Sequence, residues 1–366
     1  MKDGWGRVLT RRGFLKGTAE LLLKAGLPSI FLGLAGRGAS AGGTAMAAET
    51  SAESASGFEP AYLGLHRTGE LEKRAEALRA MMRECRLCPR ACGVNRLEGE
   101  TGFCRAPGAT LVVSAAHPHF GEERPLVGKG GSGTIFLTHC NLRCVFCQNW
   151  EISHLGRGRE TSPDGLADMM LRLQETGCHN INVVTPTHYS AAILEALDTA
   201  AGKGLRLPVV YNTSGWERLE VLEMLDGVVD IYLPDFKYWD GDLSEKYSAG
   251  AESYPETTRQ AILEMHRQVG VAKPAENGVM QRGLMIRHLV MPNNTAGSVD
   301  IVEWIAENLP KETYVNIMAQ YHPAHKAYDY QELSRRVTRS EYAGVVERAK
   351  EAGLTNLDVQ AFWWLR

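Results

Sequence analysis

Apolar positions along the chain follow two periods, and the alternation between them organises most of its length. Leu71, Ala75, Leu78 and Met82 recur at the spacing of one helix face, which predicts a helix over 70–84. A short strand is expected over 110–114, and a GKGGSG loop leads into a buried strand over 134–138. Ser162-Pro163 reads as a helix start, Leu166, Met169, Met170 and Leu173 as its buried face, and Gly177 as its end. Strands over 181–184, 208–212, 229–233, 284–290 and 314–318 then alternate with helical stretches over 190–203, 216–225, 256–269 and 299–308, and a last helix covers 340–351. Six apolar strands separated by helices are the pattern of parallel βαβ units, which right-handed crossovers carry round into a full or partial barrel. The fold expected is therefore α/β.

In such a barrel, chemistry collects where the carboxyl ends of the strands give way to loops. Polar residues fall there six times: Thr138 to Cys140, TPTHY from Thr185, YNTSG from Tyr211, LPDFKY from Leu233, MPNN from Met291 and AQYHP from Ala319. Any one polar loop after a strand is ordinary; six in register with six strands mark a face.

The first forty-odd residues have a different composition. A charged start containing Arg11-Arg12, a short apolar run near 25–35 and small residues ending in Ala45-Met46-Ala47 describe an export signal of the twin-arginine type over 1–47. Residues 48–69 read as a linker, 70–128 as a helix followed by a cysteine-rich extension, and 129–366 as the barrel. The signal implies a periplasmic, exported or membrane-anchored protein, or a cytoplasmic one where the signal is not used. A net charge of −3 gives no overall field for a polyanion, so nucleic acid is not an expected partner.

The eight cysteines change the picture most. Three of them stand in THCNLRCVFCQNW, as Cys140, Cys144 and Cys147, where the first buried strand ends. Three close cysteines cannot all pair with one another, and a structural zinc site wants a fourth ligand, for which His139 is the local candidate. Thiolates also hold iron–sulfur clusters, and three of them leave one iron of a 4Fe-4S cluster open. A second group, Cys85, Cys88, Cys92 and Cys104, has four members and suits zinc, a second iron–sulfur cluster, two disulfides or plain thiols. Cys178 reads as a packing residue.

The Cys140-x3-Cys144-x2-Cys147 spacing, with Phe146 before the last cysteine, resembles the signature of the radical S-adenosylmethionine (SAM) superfamily. The stretches NINVVTPTHY, VYNTSG, DIYLPDFKY, IRHLVMPN and YVNIMAQYHP extend the likeness to radical SAM proteins related to pyruvate formate-lyase activating enzyme. The resemblance implies a partial (β/α)6 TIM-like barrel of the radical SAM type and a 4Fe-4S cluster on the three cysteines, with SAM on the open iron. It implies Phe146 against the adenine. Thr185, Pro186 and Thr187, followed by His188, stand where the superfamily has a Gly-Gly-Glu-like segment for the SAM amino group. Asn212 and Ser214 fall near the ribose or carboxylate, and Asp235 and Lys237 at the methionine end, with Lys237 paired to carboxylate charge. The activity implied is reductive cleavage of SAM and hydrogen abstraction from an unknown substrate, with glycyl-radical activation of a protein as its finer form. A flavodoxin or ferredoxin is the implied electron donor. The rival expectation is an exported iron–sulfur or zinc protein, or electron-transfer protein, on a barrel that no longer binds SAM.

Other polar residues have plainer readings. Arg143, Arg157 and Arg159 flank the cysteine triplet as solvated cations or as guides for an anionic substrate. The carboxylates of HFGEER (119–124) suit a structural salt bridge or a substrate contact. His188 and His322 read as packing or hydrogen-bonding residues, because hydrogen abstraction needs no general base. GKGGSG lacks the Lys-Ser/Thr ending of a phosphate loop and runs into a strand rather than a helix.

Overall fold

In the computed structural model, which describes residues 57–360, the six expected apolar runs form strands lying side by side in one sheet. In chain order the strands are β1 (Leu111–His119), β2 (Ser132–Leu137), β3 (Arg159–Thr161), β4 (Ile181–Val184), β5 (Val209–Thr213), β6 (Ile231–Pro234), β7 (Lys273–Pro274), β8 (Met280–Leu289), β9 (Tyr314–Met318) and β10 (Leu357–Val359). They are arranged β10-β9-β8-β6-β5-β4-β2-β1-β3, with β7 paired to β8. Every neighbouring pair from β2 to β10 along this path is parallel, whereas β1 runs antiparallel to both β2 and β3. This is a mixed sheet curved into a partial barrel of the α/β class, with six central parallel strands and short additions at its edges.

Burial explains why the apolar runs were continuous. Strands β5, β6 and β9 are buried at every position, as expected for parallel strands covered on both faces. The helix Pro163–Glu175 starts where expected, because the Ser162 hydroxyl accepts from the Gly165 N–H at 3.1 Å, and it buries Leu166, Ala167, Met170 and Leu173. The last helix, Arg339–Glu351, is fixed by a capping box between Thr338 and Glu341.

Several boundaries moved for identifiable reasons. The first long helix stops at Ala80 rather than 84. Cys85 instead pairs its backbone across the cysteine loop, its N–H donating to Val94 O at 2.9 Å and its carbonyl accepting from Gly93 at 3.1 Å. Strand β1 is nine residues long because it pairs with β2 as far as His119↔Ser132, beyond the apolar run that announced it. Strands β3, β7 and β10 have two or three residues each, too short for any period to show.

The end of the expected linker is helical at Tyr62–Arg67. It packs on the barrel, with the Ala61 N–H on Asp230 Oδ1 at 2.9 Å and the Tyr62 hydroxyl on Leu207 O at 3.1 Å. The expected signal over 1–47, and the linker before residue 57, lie outside the described residues.

Candidate cluster and cofactor site

The chain leaves β2 through a loop whose turns are set by two residues in the left-handed region, His139 at φ 66° and Arg143 at φ 53°. Each such turn costs a side-chain-bearing residue roughly 1–2 kcal/mol, which the loop offsets by anchoring. The His139 N–H donates to Ile152 O at 3.1 Å, the Val145 N–H to Tyr247 O at 2.9 Å, and Leu142 is fully buried. The result is a compact thiol triplet. Burial pushes Cys140 up to about 11, with Cys144 nearby adding to the shift; burial also raises Cys144, with Cys147 adding, and Cys147, with Cys140 adding. Each of the three therefore feels its neighbour, and a soft metal centre must displace their protons on binding.

Each sulfur also has its own hydrogen-bond partner. The Leu142 N–H points at Cys140 Sγ at 3.4 Å, the Ser248 hydroxyl at Cys144 Sγ at 3.0 Å, and the Ser153 hydroxyl lies 3.1 Å from Cys147 Sγ. Donors of this kind tune thiolates bound to a cluster. His139 does not complete the set: its Nδ1 is engaged by the Thr138 hydroxyl at 2.7 Å and the Tyr189 hydroxyl at 3.2 Å, and its other edge faces Gly156. Among the described residues no three His, Cys, Asp or Glu side chains converge as one metal ion requires. Three soft donors, with no fourth protein ligand among the described residues, suit a 4Fe-4S cluster with one open iron.

The residues expected around SAM fall into two groups. Asn212, Asp235 and Lys237 join one polar chain that reaches the thiols. The Arg287 guanidinium donates to Asn212 Oδ1 at 2.6 Å and to Asp235 Oδ1 at 2.8 Å, and Lys237 Nζ donates to Asp235 Oδ2 at 2.6 Å. Burial opposes the charge on Asp235, but Arg287 and Lys237 outweigh it and hold the carboxyl below its usual range. Burial likewise opposes the Lys237 charge, and Asp235 and Cys144 more than restore it. Gly215, at φ 83°, permits this layout, since a Cβ there would fall 2.3 Å from Asp235 O. Ser214 lies beside it with a buried hydroxyl that has no partner among the described residues.

Thr187 belongs to a different cluster, its hydroxyl donating to Glu217 Oε1 at 2.6 Å, where the Thr213 hydroxyl also donates. Thr185 sits at φ 59° at the end of β4, with its N–H on Asn212 O at 2.9 Å. Phe146 is buried, with Tyr238 and Tyr321 edge-on at 6.2 and 5.9 Å.

Arg287 and Glu217 escaped the sequence reading. Arg287 left a signal, a lone charge inside the apolar run LMIRHLV that demanded a buried partner. Glu122 and Glu123 face the barrel interior: Glu122 lies 3.8 Å from Arg287, and Glu123 accepts from Asn316 at 2.9 Å. With Arg124, Asn149, Gln320 and Gln360 they line a cavity of about 650 Å³. Arg157 pairs with Glu151, Arg159 is exposed on β3, and Arg143 lies near Cys140 and Cys104. His188 is buried against Thr138 O at 2.9 Å, and His322 is half-buried, with its Nδ1 3.2 Å from Gln148 Nε2. Cys85, Cys88, Cys104 and Cys178 are buried and Cys92 is exposed, and none of the eight cysteines forms a disulfide.

Residues 134–267 match the sequence model of the Radical SAM superfamily. The chain is 32% identical over 294 residues to the uncharacterized protein MJ0674 of Methanocaldococcus jannaschii, an alignment covering 78% of this chain and 79% of that protein. It is 26% identical over 265 residues to MJ0808 of the same organism, covering 67% and 72%. Among solved structures, methylornithine synthase (PylB) aligns at TM-score 0.40 and 11% identity over 83% of each chain. TYW1 with a lysine-pyruvate adduct bound aligns at 0.37 and 10%, over 60% of this chain and 73% of its own.

Proposed function

Because the chain belongs to the radical SAM superfamily, whose members are enzymes that use a 4Fe-4S cluster and SAM, we propose that Cys140, Cys144 and Cys147 are its cluster ligands. When bound and reduced, the cluster supplies the electron that splits SAM into methionine and a 5′-deoxyadenosyl radical able to take hydrogen from a substrate. The chain's own residues do the holding and shielding. Leu142 and Ser248 each direct a donor to a sulfur, and the Ser153 hydroxyl lies within hydrogen-bond distance of the third. Lys237, kept charged by Asp235, presents an ammonium beside the thiols for a carboxylate, and the unpartnered Ser214 hydroxyl is available to a polar ligand. The observation that carries this reading is the thiol triplet with one hydrogen-bond partner per sulfur and, among the described residues, no fourth protein ligand.

The test is spectroscopic. Protein reconstituted with iron and sulfide without oxygen and then reduced is expected to change its electron paramagnetic resonance (EPR) spectrum when SAM is added. A spectrum indifferent to SAM overturns the reading and leaves the electron-transfer alternative in its place.

The finer form of the proposal is hydrogen abstraction from glycine in a partner protein, with a flavodoxin- or ferredoxin-type donor. Its support is the barrel cavity, which carries the side-chain amides of Asn149, Asn212, Asn316, Gln320 and Gln360, groups that pair with a peptide backbone. Soluble protein from cells grown on α-deuterated glycine, offered with unlabelled SAM, is expected to give 5′-deoxyadenosine carrying deuterium. Unlabelled product sets this form aside.

A further inference from the structure

We propose that Cys85, Cys88, Cys92 and Cys104 hold a second iron–sulfur cluster, fully ligated by protein, which relays single electrons to the cluster at Cys140, Cys144 and Cys147. The relay rests on the preceding reading for its acceptor; the second cluster itself does not.

The cysteine loop is built to bring its four thiols together. Cys85 is tied to Val94 and Gly93, the Ala91 N–H turns back to Cys88 O at 3.0 Å, and the Arg105 N–H to Gly102 O at 3.0 Å. A Cβ on Gly102 would fall 2.7 Å from Cys92 Sγ, so the segment carrying Cys104 lies directly on Cys92. Neighbour effects run round the group, Cys88 feeling Cys104 and Cys85, and Cys92 acting on both Cys85 and Cys104. Four cysteines ringing one short loop, none in a disulfide, make a ligand set.

The charge around this ring calls for an anion. Arg96 is only 1% exposed, and among the described residues no carboxylate pairs with it. Its Nε donates to Gly108 O at 2.7 Å and its Nη1 to His188 O at 2.7 Å, but its buried Nη2 has no partner. An uncompensated buried guanidinium costs several kcal/mol. Its charge falls on Cys85 and Cys104, where a cluster held by four thiolates would supply the missing negative charge.

The two cysteine groups are also adjacent. Asn141 is fully buried between them: Cys140 Sγ is 3.9 Å from its Oδ1, Cys88 meets the same side chain, and its Nδ2 is left without a full hydrogen bond. Arg90 donates to Asn141 O at 3.0 Å and Ser248 O at 2.9 Å, and its charge reaches Cys88, Cys140 and Cys144 alike. Exposed Cys92 gives the ring an outer edge. Each transfer moves one electron: the forward cluster is oxidised by one, the triplet's cluster is reduced by one, and a low-potential flavodoxin- or ferredoxin-type protein re-reduces the first. No bond or proton changes place.

The full chain, reconstituted without oxygen, is expected to hold about eight iron and eight sulfide per chain. A Cys144→Ala/Cys147→Ala variant should keep about four iron, with an EPR signal indifferent to SAM; a Cys88→Ser/Cys104→Ser variant should keep about four with a signal that responds to it. In the latter, the ratio of 5′-deoxyadenosine formed with reduced flavodoxin to that formed with dithionite should fall about tenfold. One tightly held zinc per chain, or loss of all iron from the Cys144→Ala/Cys147→Ala variant, overturns the second cluster. An unchanged ratio overturns the relay. Should Cys88→Ser/Cys104→Ser fail to fold, the Cys144→Ala/Cys147→Ala iron content decides the second cluster. Failure of the SAM reading alone would show as a SAM-indifferent parent that still holds about eight iron.

Discussion

Glu217 is fully buried and among the described residues has no opposing cation, so burial pushes its carboxyl up to about 7, against the pull of the Thr187 and Thr213 hydroxyls. A folded pKa raised above the unfolded value means stability that is full below about pH 4.5 and is lost as pH rises through about 7, by about 3 kcal/mol for this group. Asp230, also raised to about 7 by burial, adds a decline of the same sign. Glu217→Gln keeps an acceptor for both threonines and removes the titration. Melting temperature measured from pH 5 to 8 should therefore fall less in this variant than in the parent; parallel curves would contradict the assignment. Ser248 offers a second test at this scale. Loss of its hydroxyl in Ser248→Ala takes a donor from Cys144, so the triplet's cluster should keep its iron but show a more negative midpoint potential in a redox titration. Of the site, the cysteines were legible because their spacing is local. Ser248, Arg287 and Asn141 act through contacts that only the fold creates, and hydroxyls, amides and a lone charge leave little trace in a sequence.

The expected strands over 181–184 and 314–318 coincide with β4 and β9, because a parallel strand buried on both faces is a plain apolar run. Elements held by partners rather than by their own pattern were not legible. The polar Arg159–Thr161 is a strand only through pairing with β1, and the helix after Asp240 starts because that carboxylate caps Leu243 at 2.9 Å. The turn at Gly215 joins the ends of β5 and β6, and its missing Cβ lets Asp235 O approach. Gly215→Ala should cost about 2 kcal/mol or more in denaturant unfolding, since the clash is with backbone and the φ is positive. It should also weaken SAM binding by displacing the Asp235 to Lys237 pair. A stability within a few tenths of a kcal/mol of the parent would show that the turn relaxes freely.

At the scale of the whole molecule, the barrel, the thiol triplet and the forward cysteine loop form one continuous structure. Strand β1, which follows the loop, pairs directly with β2, which carries the triplet at its end, and Arg90 ties loop to barrel through Asn141, Ser248 and Gly250. The alternation of strand and helix announced this architecture, but not that the cysteine-rich segment would lie against the triplet. That contact depends on β1 reversing direction beside β2, and a period-based reading does not carry strand direction. Cleavage of SAM by the triplet's cluster is read out by chromatographic analysis of the anaerobic reaction of reduced, reconstituted protein with SAM. The parent should give 5′-deoxyadenosine and methionine in equal amounts and Cys144→Ala neither; no 5′-deoxyadenosine from the parent, or the same amount from both proteins, would show that the triplet does not carry out this cleavage.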